Sequence, residues 1–383
     1  MLSDPAVFSD DYRPQRLLHR DTERATLVDA LQPAAMGERA DDVLVAGSHG
    51  VGKTTLVQYV LDELHEEADI QSAFVECMGE TTAGIVRGVL EDLGLDPAQN
   101  TPREDLCLQL WEHVSEPTVV VLDEAADLPE TDALERLWDC DLLSVVIICH
   151  DRERWLSRLK PIHRRYLHAG EEIDLTGYTP EQLVDIMVPR AEAGLDAGTW
   201  DHSVLEAVAD RADGCARTAL TTLHAAATVA SDHGRGMITP AEVPEGYERA
   251  ATWMRESNLA SLSAHHHVLY EVLRVEGPLQ PDDLHERYEA LADELYRGLG
   301  QTPIEQRARA YKLEKLQEYG LVTFEGENQY DEYRVCDEAV VSSLSIAVEG
   351  NDSSNDPSAI LGSQRVSKGG RRQNPNSDTD TED

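Results

Sequence analysis

The chain has 383 residues, too many for one small module and enough for two or three domains that each bury a core. Acidic residues outnumber basic ones 73 to 33, a formal charge of -40, which argues against a polyanion-binding surface of domain scale. Because 41 % of residues are apolar and fall in periodic segments, the acid fits a folded protein adapted to concentrated salt better than a disordered solvating chain.

The N-terminal stretch MLSDPAVFSDDYRP has neither a basic nor an apolar leader region, and no apolar run approaches ~18 residues, so a cytoplasmic protein without a membrane anchor is expected. From about 43 to 175, short apolar runs alternate with amphipathic stretches, the pattern of an α/β parallel sheet with crossover helices. The runs are Val43 to Ala46, Ala73 to Val75, Thr118 to Leu122, Ser144 to Ile148 and Ile173 to Leu175. Their lack of polar alternation places the middle strands between two helical layers. This first unit is expected to span 1–176.

Directly after the first run stands Gly47-Ser48-His49-Gly50-Val51-Gly52-Lys53-Thr54-Thr55, which fits G-x-x-x-x-G-K-[ST] in the strand-to-helix context that motif needs. Its glycines let backbone N-H groups turn inward on phosphate oxygens, and the following helix adds its positive end. Lys53 is expected to reach the β- and γ-phosphates of ATP, or the β-phosphate of ADP, and the Thr54 hydroxyl to ligate Mg²⁺. The third run ends in Asp123-Glu124, at the strand end where open α/β sheets bind ligands. Asp123 is expected to hold Mg²⁺ through water and Glu124 to activate the attacking water.

His150, just past the fourth run, is either a polar sensor of the γ-phosphate or a strand-end histidine with a local partner. Residues 152–165 carry six basic residues and one acidic one, against the sign of the whole chain. An acidic face of the same molecule, a nucleic acid, or a neighbouring subunit's nucleotide would each explain that reversal, the first being favoured.

After Gly177 strand signals stop, and an all-helical unit is expected over 177–256. Thr179-Pro180-Glu181-Gln182 and Thr239-Pro240-Ala241-Glu242 read as capping boxes with proline at the first helical position, and Asp201 as a further cap. Arg217, in Gly214-Cys215-Ala216-Arg217, is either a γ-phosphate sensor at a helix start or a solvated surface arginine.

A third unit, 257–345, shows three helical segments, the last two at about 281–296 and 303–319, the latter stopped by Gly320. Leu321 to Phe324, a polar turn and Tyr330 to Val335 complete a hairpin, which together spells a winged helix-turn-helix. Residues 297–315 carry a net +3, and Arg307, Arg309, Lys312 and Lys315 are the expected DNA contacts. With Leu313 and Leu316 inward, Gln306, Arg309 and Lys312 should face out; a winged helix used for protein contacts is the alternative. His265 to His267 cannot converge on one ion from consecutive helical positions and read as a solvated helix start. Residues 346–383 lack aromatics and are expected to be disordered. The six cysteines show no zinc or disulfide spacing and read as small core residues in a reducing cytosol.

These residues resemble a known family, the archaeal replication initiators related to the origin recognition complex large subunit and cell division control protein 6. The resemblance runs from Val7-Phe8-Ser9-Asp10-Asp11-Tyr12-Arg13-Pro14 through GSHGVGKTT, VLDEAADL, Tyr178 to Leu183 and GCARTAL to RARAYKLEKLQEYGLV. It implies an AAA+ ATPase base, a helical lid and a C-terminal winged helix that clamp double-stranded origin DNA at repeats and recruit the replicative helicase. It also implies self-association or pairing with related initiators. His150 stands where the family usually has Asn, and Cys215 where it has Asp, which marks a divergent halophilic paralogue and puts hydrolysis in question more than binding. The family's arginine finger falls on Arg164 or Arg165. An ATP-switched transcriptional regulator or mobile-element accessory ATPase, without helicase recruitment, stands as the alternative function.

Overall fold

The computed structural model describes residues 1–343 except 69, 129, 130, 168, 169, 298 and 326–330, and only the backbone at 127, 165 and 166. The first half alternates strand and helix: α1 (Asp21–Ala35), β1 (Val43–Gly47), α2 (Lys53–Glu67), β2 (Gln71–Glu76), α3 (Thr82–Asp92), α4 (Arg103–His113) and β3 (Thr118–Asp123), then α5 (Asp132–Trp138), β4 (Leu143–Cys149), α6 (Arg152–Arg158), α7 (Pro161–Leu167) and β5 (Glu171–Leu175). All five expected strands are present, each a little longer than its apolar run. They form one parallel sheet in the order β2-β3-β4-β1-β5.

Period-two alternation sends successive side chains to opposite faces. Leu44, Val120, Leu122, Val145 and Ile147 join a core with α3, α4 and α5. Val43, Val45, Val119, Val121, Val146 and Ile148 join a second core with α1 and α2. Every residue of β3 and β4 is buried, whereas the edge strands β2 and β5 are partly exposed. The parallel register pairs Ala46 with Cys149 and Glu76 with Asp123, so the C-terminal ends of β1, β3 and β4 meet at one rim.

Four helices follow: α8 (Pro180–Gly194), α9 (His202–Ala209), α10 (Ala216–Asp232) and α11 (Val243–Ser261). Thr179 accepts from the Gln182 N-H, and the Gln182 side chain accepts from the Thr179 N-H, the expected capping box. Asp201 caps α9 as expected. At the second proposed box the Glu242 carboxylate accepts from both the N-H and the hydroxyl of Thr239, closing a local turn, and α11 starts only at Val243. These helices share a third core, which also takes in Phe8 and Tyr178. Helix α11 continues through 256 and 257, where the sequence suggested a boundary.

The chain then forms α12 (Ala264–Glu276), α13 (Pro281–Leu295), α14 (Gln306–Glu318) and the antiparallel pair β6 (Val322–Glu325) and β7 (Glu332–Val335). Gly320, at φ +63°, ends α14: its N-H reaches Gln317 O and the Leu321 N-H reaches Leu316 O at 2.9 Å. The solvated reading of the histidine run is corrected. His266 and His267 are buried, hydrogen-bonded to Ser263 and Ser342, because the helix starts with its apolar face already packed. Most of the expected hairpin turn and the expected disordered tail lie outside the described residues. Among the described residues no helix is long and apolar enough to cross a membrane.

Candidate nucleotide-binding site

At the sheet rim a cavity of about 720 Å³ runs from the loop after β1 to the N-terminal segment and α8, a size suited to a small-molecule ligand. Its floor is built from Gly50, Gly52, Lys53, Thr54 and Thr55, with Asp123 and Glu124 at the end of β3. Gly47, Gly50 and Gly52 adopt φ of +150°, +70° and +93°, which bends the loop back over the start of α2. Within the loop Gly47, Ser48, His49, Gly50, Val51, Gly52, the Lys53 ammonium donates to Ser48 O at 3.0 Å.

The Thr54 hydroxyl donates to Asp123 Oδ2 at 2.8 Å, and Asp123 Oδ1 accepts the Glu124 N-H at 2.9 Å. A hydroxyl and a carboxylate held together are hard oxygen donors of the kind Mg²⁺ takes. Glu124 itself sits at φ +50°, a left-handed conformation uncommon outside glycine and frequent at functional sites. Burial lowers the Lys53 pKa, opposed by Glu124 and Asp123. Burial likewise raises the Asp123 carboxyl, against the hydrogen bonds from Thr54 and the Glu124 N-H. The site holds two desolvated charges whose cost a polyphosphate and a cation would offset.

His49 and His150 stack with ring centroids 4.8 Å apart. Burial, then His150 and Lys53, hold His49 down at about 3, so it is neutral at physiological pH. Helix α10 is pinned to the loop: the Arg217 N-H donates to Gly50 O at 3.2 Å, and the Cys215 thiol lies 3.6 Å from His49 O. A Cβ on Gly50 would come within 2.4 Å of Cys215 Sγ and 2.9 Å of Arg217 Cβ. Cys77, Cys107, Cys140 and Cys149 are buried as expected, but Cys215 instead caps α10, accepting from the Thr218 N-H at 3.5 Å. Arg217 is not a solvated arginine: it lines the cavity, paired with Asp10 at 2.7 Å and donating to Asn258 Oδ1 at 3.4 Å.

The far end is apolar and aromatic, with Phe8, Tyr12, Leu17, Ile186 and Pro189. Arg190 lies 3.9 Å over the Tyr12 ring and donates to Val7 O at 2.5 Å, and Phe8 stacks on His224. Arg190, Asn258, Glu318 and Tyr319 also line this cavity and were not foreseen. Tyr12 and Asp10 lay in a recognisable segment, but no local pattern announces Asn258 or Tyr319.

Three of the six basic residues of 152–165 pair with acids of the same molecule. Arg152 pairs with Glu172, Lys160 with Asp132 and Glu135, and Arg154 with Glu314 at 2.8 Å and with Glu318. Arg164 donates to Ser157 O, and the Arg165 side chain is outside the described residues. On α14 two expected DNA contacts are corrected. Arg309 is 2 % exposed, paired with Glu289 and lying over the Tyr288 ring. Lys315 is 6 % exposed, beside Glu318 and over the Tyr319 ring. Both are buried by α13 or by the end of their own helix. Arg307 is exposed and Lys312 half-buried.

Residues 38–155 match the AAA domain family, and residues 184–248 the Cdc6 AAA+ ATPase-type lid domain family. ORC1-type DNA replication protein 9 of Halobacterium salinarum is 30 % identical over 347 residues, 89 % of this chain and 96 % of that protein. ORC1-type DNA replication protein 1 of the same organism is 26 % identical over 75 % of this chain and 95 % of its own. In fold, the chain is similar to the Aeropyrum pernix ORC1 protein solved in complex with DNA, with TM-score 0.69 and 24 % identity over 87 % of this chain and 93 % of that one. It is also similar to the ADPNP-ADP complexes of the Aeropyrum pernix ORC2 protein, with TM-score 0.58 and 22 % identity over 88 % and 94 % of the two chains. A phosphate loop, a strand-end Asp-Glu pair and a matching lid, over almost the full length of a halophilic relative, place this chain in the ORC1-type DNA replication protein family of AAA+ ATPases.

Proposed function

We propose that the protein is an ATP-controlled replication initiator that binds double-stranded origin DNA and helps load the replicative helicase. The observation that carries the nucleotide half is the single cavity joining Lys53, Thr54, Asp123 and Glu124 to Arg217. In this reading the loop N-H groups and Lys53 bind the phosphates of ATP, and Arg217 exchanges Asp10 for the γ-phosphate. Thr54 and Asp123 hold Mg²⁺, which when bound offsets charge developing on the phosphates. Glu124 orients the attacking water and takes its proton, while the neutral His49, stacked on His150, walls the loop.

The DNA half rests on α12, α13, α14 and the β6-β7 pair read as a winged helix, with Arg307 and Lys312 of α14 as its contacts. Initiators paired with related copies, as the resemblance implies, would meet on DNA repeats. A regulator or accessory ATPase with the same parts is separated by where the protein binds and whether it engages a helicase.

Footprinting on the DNA flanking its own gene, in molar KCl, tests this directly. The parent and Glu124→Gln should both protect an AT-rich replicator, Glu124→Gln should hold ATP without turning it over, and Arg307→Ala should lose protection. Protection of a lone promoter instead would support the regulator, and retained turnover in Glu124→Gln would displace the proposed base.

A further inference from the structure

The N-terminal segment lines the nucleotide cavity as a strap held at both ends. On one side Val7 O accepts from Arg190 of α8 at 2.5 Å, and Phe8 stacks on His224 of α10. On the other side Arg13 pairs with Asp62 of α2 at 2.7 Å. Between these anchors the Tyr12 N-H reaches back to Ser9 O at 3.3 Å, closing a turn that carries Asp10. The Asp10 backbone is fixed by that turn, while its exposed carboxylate can leave by side-chain rotation alone.

That carboxylate meets Arg217 Nη2 at 2.7 Å. Helix α10 sets Arg217 against the phosphate loop: its N-H donates to Gly50 O at 3.2 Å, and a Cβ on Gly50 would come within 2.9 Å of its own Cβ. A second contact of the guanidinium, to Asn258 Oδ1 at 3.4 Å, is long and to a neutral group. Among the described residues the buried Arg217 Nε has no hydrogen-bond partner. Asp10 therefore stands on the guanidinium where an incoming anion would have to stand.

We infer that Asp10 is a specificity-determining residue, an internal carboxylate that competes with the third phosphate of ATP for Arg217 and so narrows the preference for ATP over ADP. The inference rests on the reading that Arg217 meets the γ-phosphate. The loop N-H groups and Lys53 answer the phosphates that both nucleotides carry, so ADP leaves the Asp10 pair intact. ATP gains Arg217 only by breaking that pair, and its apparent affinity is reduced by the fraction of molecules in which Arg217 is free. Once the γ-phosphate is gone Asp10 takes Arg217 back, which favours the ADP state.

The test is competition of ADP and of a non-hydrolysable ATP analogue, each with Mg²⁺, against a fluorescent ADP on the full chain at one fixed KCl concentration. Asp10→Asn, a change at an exposed position, should raise affinity for the analogue about two- to fivefold, the range for a partly exposed ion pair, and leave ADP unchanged. Made in Arg217→Ala, the same change should not alter the ratio of the two affinities. An equal gain for ADP and the analogue, or a selective gain that persists without Arg217, would mean that Asp10 only repels phosphate, and either overturns the competition. An unchanged ratio in Asp10→Asn overturns it too. The underlying reading has its own arm: added to Asp10→Asn, Arg217→Ala should weaken the analogue more than ADP. Equal loss would show that Arg217 does not meet the third phosphate and would remove that reading, whereas selective loss with an unchanged ratio in Asp10→Asn alone removes only the role of Asp10.

Discussion

Asp123 is a buried carboxylate at the end of β3, and the fold bears the cost of its charge. Because burial raises its pKa above the unfolded value, the folded state holds a proton better than the unfolded one, and ionisation at neutral pH opposes folding. Asp123→Asn keeps acceptor and donor positions for the Glu124 N-H and the Thr54 hydroxyl. It should raise the nucleotide-free melting temperature at pH 7 by about 2 to 4 °C while ending Mg²⁺-dependent turnover. That gain should shrink as pH falls and the parent's carboxyl takes up its proton; a gain that grows on acidification would contradict the assignment. The phosphate loop and the Asp-Glu pair were legible because phosphate chemistry is written in contiguous residues. Arg309 was misread because its charge outweighed its spacing: it stands four and seven positions before Leu313 and Leu316, on the inward face. Glu289 and the Tyr288 ring, which make that burial tolerable, lie on another helix and left no local signal.

The elements differ in how openly they declared themselves. Strands covered on both faces showed as unbroken apolar runs, and Thr179-Pro180 announced α8 to the residue. Thr239-Pro240 carried the same letters, but there the Glu242 carboxylate serves the turn, and the helix starts later. The crossing of α10 and α11 was invisible, since it depends on Gly246 meeting Ala226 in another helix. A Cβ at Gly246 would lie 2.8 Å from the Ala226 backbone, where no side chain can rotate away. Gly246→Ala should therefore destabilise the protein by about 1 to 3 kcal/mol in chemical denaturation. An unchanged unfolding midpoint would mean that the two helices separate freely.

For the whole molecule, a formal charge of -40 is a standing repulsion that only dense counterions can quiet. The melting temperature should climb steadily as KCl rises from dilute to molar, as the screening length shrinks to about 3 Å. A flat or falling dependence would reject salt adaptation. Internal ion pairs such as Arg152 with Glu172 survive that screening because their partners are in contact.

The path of the chain between the sheet and the helices after it adds one more constraint. Ser3 and Asp4 bond to Gly194, and Val7 and Phe8 pack with α8, before the chain runs back to α1 beneath the sheet. It crosses again between β5 and α8. Two separate backbone crossings tie the sheet to the helices after it, so an opening that admitted nucleotide would have to respect both, a constraint set by where the polypeptide passes rather than by which side chains touch.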